Sequence, residues 1–319
     1  RFIIMAWYNN IFGNNKKPKK QFRRSYTGAN TGRLFADFIT SSTSADAEIK
    51  DNIRLLRDRS RDLARNDPFI ARYLNLMVSN VIGKQGVRVS SKARNDDQSL
   101  DIGANLLIER SWKEWCQLGN CTVNERLTFL DCQKIFIETL CRDGEVLVRK
   151  VKDSSSPFGF KISFIEADHL DENKNETSLK NGNSIKMGVE LDKGGKPVAY
   201  HLFKKHPYDN TYPKPAQEYI RVPADEIIHA YLPQRAEQTR GVSFIAPIIA
   251  NMKMLNGYYE AEIVAARVGA SKMGFITCPD GDGYIGDGEM EDTFNPTMNA
   301  QAGVFEQLPA GMSFESFDP

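Results

Sequence analysis

Arg142-Asp143-Gly144-Glu145-Val146-Leu147-Val148-Arg149-Lys150 changes its hydrophobic period within three residues. Upstream, over residues 127–143, Phe129, Leu130, Ile135, Phe136 and Leu140 recur at helical spacing and predict an inward helix face. Asp143-Gly144 is a turn pair, and the run after it predicts a strand. Helical signals dominate before this junction and strand signals after it, so the expected class is α+β.

Working toward the start, residues 45–82 read as helical. Ser44 is the expected N-cap. Ile53, Leu56 and Leu63 recur at helical spacing beside Arg54, Arg57, Arg59, Arg61 and Arg65. Asp51, Asp58 and Asp62 lie among these arginines, which predicts ion pairing on the helix surface, with subunit contacts as the second reading. Pro68 suits the first turn of a further helix. Its apolar face is Phe69, Ile70, Tyr73, Leu74, Met77, Val78 and Val81, and Gly83 closes it. Residues 86–89 alternate like a short strand. Residues 101–116 predict a helix burying Leu106, Leu107, Trp112 and Trp115.

Working toward the end, strands are expected at 160–166, 187–191, 198–204 and 226–231, with a turn at Asp192-Lys193-Gly194-Gly195. From residue 244 to about 271 Ile245, Ile248, Met252, Leu255, Tyr259, Ile263, Ala266 and Ala270 are spaced by three or four. This predicts one helix of about 42 Å. Gly257 and Gly269 each weaken it by about 1 kcal/mol relative to Ala, but they also allow a neighbouring helix to approach. Beyond it the chain reads as an acidic loop with short strands near Val304 and Phe314.

The chain has 319 residues, 41% hydrophobic and 26% charged, which excludes collagen-like, mucin-like and wholly disordered classes. No apolar run reaches the length of a membrane-spanning helix, and residues 1–7 are too short for a signal-peptide core. Five cysteines without an export signal predict reduced thiols in a cytosolic setting. The net charge of +1 conceals an asymmetry: residues 1–24 carry seven Lys/Arg and no Asp/Glu, while 273–319 carry nine Asp/Glu and no Lys/Arg. Lys16, Lys17, Lys19, Lys20, Arg23 and Arg24 form a basic arm, either a solvated tail or a segment drawn to DNA or a neighbouring subunit.

No phosphate-binding loop, nucleophile elbow, dinucleotide fingerprint or zinc-protease helix occurs. Cys116, Cys121, Cys132 and Cys141 lack the close pairing of structural zinc sites and read as small buried hydrophobes. His229 reads as a hydrogen-bonded strand residue. Asp280-Gly281-Asp282-Gly283 starts like a calcium loop, but Tyr284 and Ile285 break the pattern. Glu166 and Asp168, and Asp171 and Glu172, read as surface or turn carboxylates. No cofactor and no metal are expected.

Four stretches, in order, together resemble the portal proteins of lambda-type tailed phages and prophages. The first contains Arg61, Asn66 and Pro68 and runs on to Gly83. The second carries Trp112 and Trp115, then Gly144 and Glu145. The third spans Ile165-Glu166-Ala167-Asp168, Gly188-Val189-Glu190-Leu191-Asp192, Ala199-Tyr200 and His206-Pro207. The fourth has Pro223 and His229, then Gln238, Arg240 and Gly241 leading into the long helix. The resemblance implies a dodecameric ring at the head vertex that passes double-stranded DNA during packaging and ejection, with no catalytic site of its own. It implies contacts with the terminase large subunit, head-completion or connector proteins, and capsid and scaffolding proteins, and no membrane. It also implies residence in the virion after assembly in the host cytoplasm.

On that frame residues 1–44 are the arm, 45–150 a helical wing, 151–240 a β-rich wing and clip, 241–272 a stem-like helix, and 273–319 an acidic return to the wing. The tunnel and crown part is expected to be missing after Pro319. Lys253, Arg267 and Lys272 are the cations of the long helix. They are either channel-facing phosphate contacts or ordinary helix charges and inter-subunit ion pairs. The competing functions are a monomeric DNA-binding adaptor and a nuclease or terminase-like component.

Overall fold

The computed structural model describes residues 29, 32–209, 218–270, 274–277 and 313–316. Residues 44–319 form one compact unit, and the described residues before them include a short 3-10 turn, Arg33–Phe35. The class is α+β, as expected.

The compact unit opens with α1 (Ala45–Lys50), whose cap Ser44 accepts the Ala47 N–H at 3.2 Å. Helices α2 (Ile53–Asn66) and α3 (Pro68–Val81) follow. Asp67 separates them and caps α3, accepting from Phe69 and Ile70 N–H at 2.9 and 3.0 Å. Pro68 then sits in the first turn, where no backbone bond is lost. Helix α4 (Ile102–Trp115) is capped by Asp101. Helix α5 (Phe129–Asp143) starts with a Thr128/Asp131 capping box and stops at Gly144, at φ +89°.

The strands are β1 (Glu145–Lys152), β2 (Phe160–Ile165), β3 (Ser184–Lys186), β4 (Val189–Leu191), β5 (Pro197–Phe203), β6 (Tyr219–Pro223) and β7 (Ile227–Tyr231), then β8 (Gly274–Thr277) and β9 (Ser313–Ser316). They make antiparallel sheets ordered β2-β1-β7, β3-β4-β5-β6 and β8-β9. The first half of β1, residues 145–148, is buried on both faces. Val146 and Val148 join Trp115, Cys121, Cys132 and Ile162 against α4 and α5. Leu147 points the other way, into a core with Leu170, Val189, Tyr200, Leu202 and Val222 that fuses the first two sheets. One strand with period two thus serves two cores. A third core, Ile70, Leu74, Cys141 and Ile245, binds α3 and α5 to the segment before the last helix. That helix, α6, spans Ile249–Ala270.

Several expectations change. Residues 86–89 form no strand; the Gln133 side-chain amide bonds both the N–H and the carbonyl of Val87 and replaces a strand neighbour. Leu106 and Leu107 are 64% and 66% exposed, because α4 packs through Trp112 and Trp115 instead. The long helix begins later than expected, since Pro247 holds residues 246–248 in a 3-10 turn. Strands β3, β6 and β8 were not expected. Val304 and the 280–285 loop lie outside the described residues.

Candidate functional site

The centre of the compact unit is a cluster of charges rather than an apolar contact. Glu145, the first residue of β1, is fully buried. Its carboxylate meets Arg57 Nη2 at 2.9 Å, Arg240 Nε at 2.8 Å, His229 Nε2 at 3.0 Å and the Gly241 N–H at 3.2 Å. Burial pushes this carboxyl up, but the charge and hydrogen bonds of Arg240, with the bond from His229, hold it well below the usual range. Arg57 reaches on to Asp168 at 3.1 Å, and Arg61 joins Asp168 at 2.7 Å to Asp143, which it grips with two nitrogens at 3.1 and 2.9 Å. Arg240 spends its remaining donors on the Leu170 and Met187 carbonyls, at 3.1 and 2.9 Å. The hub therefore ties α2, the α5–β1 junction, the 167–170 turn, β7 and the 238–241 loop to one another.

The backbone is shaped to fit it. Met187 and Gly188, at φ +46° and +82°, make the two-residue turn between β3 and β4 and aim the Met187 carbonyl at Arg240. Gly144 and Gly241 touch through their backbones: a Cβ on Gly241 would lie 2.1 Å from the Gly144 oxygen, and one on Gly144 would lie 2.2 Å from the Val242 carbonyl carbon. Gln238 braces the loop by donating to the Arg240 carbonyl at 2.7 Å, while Tyr231 donates to the Gln238 carbonyl at 2.7 Å. Thr239 is stapled to α1 through Asp46, by two bonds of 2.8 Å.

From this loop the chain enters α6, which is built differently. Its start is anchored: Ile249 and Met252 pack on the Ile70 core, Asn256 donates to Asp67 at 3.0 Å, and Tyr259 stacks on Phe69 with ring centroids 6.1 Å apart. Elsewhere Met254, Tyr258, Ile263 and Val264 are 74%, 61%, 56% and 52% exposed. No residue of α6 whose burial is described is fully buried. Apolar side chains occur round the helix rather than on one stripe, a pattern suited to burial on more than one side.

Residues 31–319 match the family described as phage portal protein, lambda family. The chain belongs to that family. It is 36% identical over 303 residues to a probable portal protein of Halomonas phage phiHAP-1, covering 92% of this chain and 58% of that protein. Portal protein B of Escherichia phage lambda is 24% identical over 258 residues, covering 76% of this chain and 47% of that protein. The chain thus spans about half the length of the curated portal proteins it matches. Among solved structures, a chain in the neck of a native GTA particle computed with C12 symmetry has a TM-score of 0.46 at 13% identity, covering 81% of this chain and 61% of that one.

Of the residues singled out from the portal resemblance, the fold gathers Arg61, Gly144, Glu145, His229, Gln238, Arg240 and Gly241 in or beside the hub. Trp112 and Trp115 lie apart, stacked at 5.0 Å and packed on Phe129. Pro68 and Gly83 bound α3, Asn66 bonds Asp62 at 2.7 Å, and Pro223 ends β6. Lys253 and Arg267 are exposed on α6. Lys272 and the basic arm from Lys16 to Arg24 lie outside the described residues.

Two readings of charge are corrected. Arg57 and Arg61 are not surface partners of α2's own aspartates, although Arg54 and Asp58 do approach to 3.9 Å. Asp168 is no surface carboxylate but a buried member of the hub, and Asp171 is buried against the Tyr219 hydroxyl. The missed signal was positional: Arg57 follows Ile53 by four residues on the buried face of α2, so a guanidinium there needs an internal anion. Of the four cysteines expected to be buried, Cys121, Cys132 and Cys141 are, while Cys116 is half-buried; burial raises the Cys132 thiol to about 12.

Glu166, Asp168 and His206 bring three ligand atoms within 4.8 Å of one another. Two of these atoms, Asp168 Oδ2 and His206 Nε2, are buried without a well-directed hydrogen bond. The Tyr208 N–H donates to His206 Nδ1 at 3.3 Å, and His206 Nε2 lies 3.2 Å from a Glu166 oxygen. The Asp168 oxygen on that side already meets Arg61. Asp168 is thus shared between this group and the ion-pair hub.

Proposed function

We propose that the chain works as a ring-forming portal: a dodecameric conduit at the head vertex through which double-stranded DNA is packaged and ejected. The observation that carries this reading is α6, an extended helix with apolar groups on several sides, anchored at one end to a body fixed by buried ion pairs. Water-exposed apolar area on this scale is stabilised only when something covers it, at about 25 cal/mol per Å². Copies of the same chain, side by side around an axis, supply that cover. In this reading α6 is the stem-like element, Lys253, Arg267 and Lys272 are candidates for weak phosphate contacts, and the basic arm is a second DNA or subunit contact. The β-rich region docks the terminase large subunit during packaging and head-completion proteins afterwards. Capsid and scaffolding proteins surround the ring, which assembles in the host cytoplasm and remains in the virion.

The role is non-catalytic. Asp143, Glu145 and Asp168, buried carboxylates of the core, are each paired with arginine, which leaves them poorly suited to the paired metals of a nuclease. Electron microscopy of the full-length protein, with its mass measured by light scattering, tests the proposal. A closed ring with a central hole is expected. A full-length chain that stays a single protomer at all concentrations would overturn it.

A further inference from the structure

Glu166 follows β2 directly, and the 3-10 turn after it bends the chain back, with the His169 N–H donating to the Glu166 carbonyl at 3.0 Å. Asp168 lies within that turn. His206 follows β5, and a bridge between Leu170 and Leu202 holds the two segments side by side. His169 stands edge-on to the His206 ring at 5.4 Å and spends its Nδ1 on the Phe203 carbonyl at 2.9 Å. Two carboxylates and an imidazole are thus brought to one corner by backbone geometry.

Ordinary ion pairing leaves that corner unfinished. His206 Nε2 lies 3.2 Å from a Glu166 oxygen and 4.0 Å from Asp168 Oδ2. Nε2 aims at neither oxygen well enough to make a hydrogen bond, and Oδ2 has no well-directed donor. Both atoms are shut off from solvent, and the Asp168 side chain is only 2% exposed. Buried polar atoms left unmet are destabilising, so a body placed between them is favoured. Ligand atoms around a tetrahedral ion of the zinc class stand about 3.4 Å apart, and the two separations from Nε2 bracket that spacing. Imidazole and carboxylate are both donors that such ions accept. The Glu166 side chain, 64% exposed, gives the corner a solvent side from which a water can complete the coordination.

We infer that Glu166, Asp168 and His206 bind one divalent cation of the zinc class, which ties the turn after β2 to the segment after β5. The ion competes with two existing contacts. Arg61 lies 2.7 Å from the same Asp168 oxygen, but that oxygen has a second lone pair, and Arg61 keeps both of its bonds to Asp143. The Tyr208 N–H donates to His206 Nδ1 at 3.3 Å; coordination through Nε2 places the ring proton on Nδ1 and gives up that long bond. The site is therefore weaker than a cysteine-ligated structural zinc site, and the ion fastens a body that already folds. The assignment holds whether or not the chain forms a ring.

Metal binding by the full-length protein after chelator treatment tests it, with Co²⁺ as the optical probe and Zn²⁺ as competitor. One Co²⁺ per chain should bind, without the strong near-ultraviolet absorption of thiolate ligation, and Zn²⁺ should displace it. Glu166→Gln and His206→Gln should each weaken binding at least about tenfold, since even an outer partner of a metal ligand is worth that much. Glu166→Gln changes a largely solvated side chain, so its circular dichroism should match the parent's. Zn²⁺ should raise the thermal midpoint of the parent and leave that of either variant unchanged. No binding by the parent, binding with thiolate absorption, or variants that bind like the parent would each overturn the site.

Discussion

Around Glu145, one carboxylate meets two guanidiniums, an imidazole and a backbone N–H, all from its own chain. Along α6, Met254, Tyr258, Ile263 and Val264 are more than half exposed within the protomer. The first region is complete in one copy. Its directional bonds hold five separate segments in a single arrangement and leave little freedom in how they sit. In the second region these side chains are left open to solvent among the described residues. In the proposed ring, a rigid body would present α6 to its neighbours at a fixed angle. The hub and the helix are joined by the shortest possible route, because Arg240 and Gly241 belong to the loop that delivers the chain to α6.

The comparison breaks most readily at Glu145. Glu145→Gln removes the charge and leaves Arg240 buried without its carboxylate partner, while Arg57 keeps Asp168. Urea unfolding should show a loss of about 3–5 kcal/mol. A loss below about 1 kcal/mol would mean that the hub does not organise the body.

Acid comes next. Glu190, buried on β4, is held at about 2 against an ordinary 4.5, chiefly by the Arg221 hydrogen bond, with Asn183 and His201 adding to it against burial. Glu145 and Asp168 are lowered as well, in their case by arginine charge that outweighs burial. A carboxyl lowered in the folded state stabilises it above the unfolded value, and that contribution disappears as pH falls through the folded value. Stability of the body should therefore drop between about pH 4.5 and 2 by equilibrium unfolding, with a shallower slope in Glu190→Gln. A flat profile would contradict the assigned ion pairs.

The smallest effect sharpens the other side of the comparison. Met254→Ala, measured on dilute protomers, should change unfolding stability by no more than about 0.5 kcal/mol, as expected for a solvated position. A loss above about 2 kcal/mol would show that α6 is already packed within one copy.

The sequence showed the two regions unequally. The junction at Asp143-Gly144-Glu145 was readable because helix period, turn pair and strand period meet within a few residues, and Ser44, Pro68 and Gly83 marked helix ends by local chemistry alone. The long helix was readable from its spacing; only its start was misplaced, by the proline at 247. The hub was not readable as a site. Its members sit at positions 57, 61, 143, 145, 168, 229 and 240, and nothing local distinguishes a buried arginine from a surface one except its place on the helix face. The portal resemblance picked out most of these residues without supplying their partners. Leu106 and Leu107 failed in the opposite sense, since hydrophobic character predicted burial where two tryptophans took the packing surface.

Hydrogen–deuterium exchange on the full-length protein, compared between dilute protomer and assembled particle, tests the central claim most directly. The account predicts that amides of β1, β7 and α5 exchange equally slowly in both states, while those of α6 from Met254 onward become slow only in the particle. Equal protection of α6 in both states, or fast exchange of α6 in the particle, would contradict it.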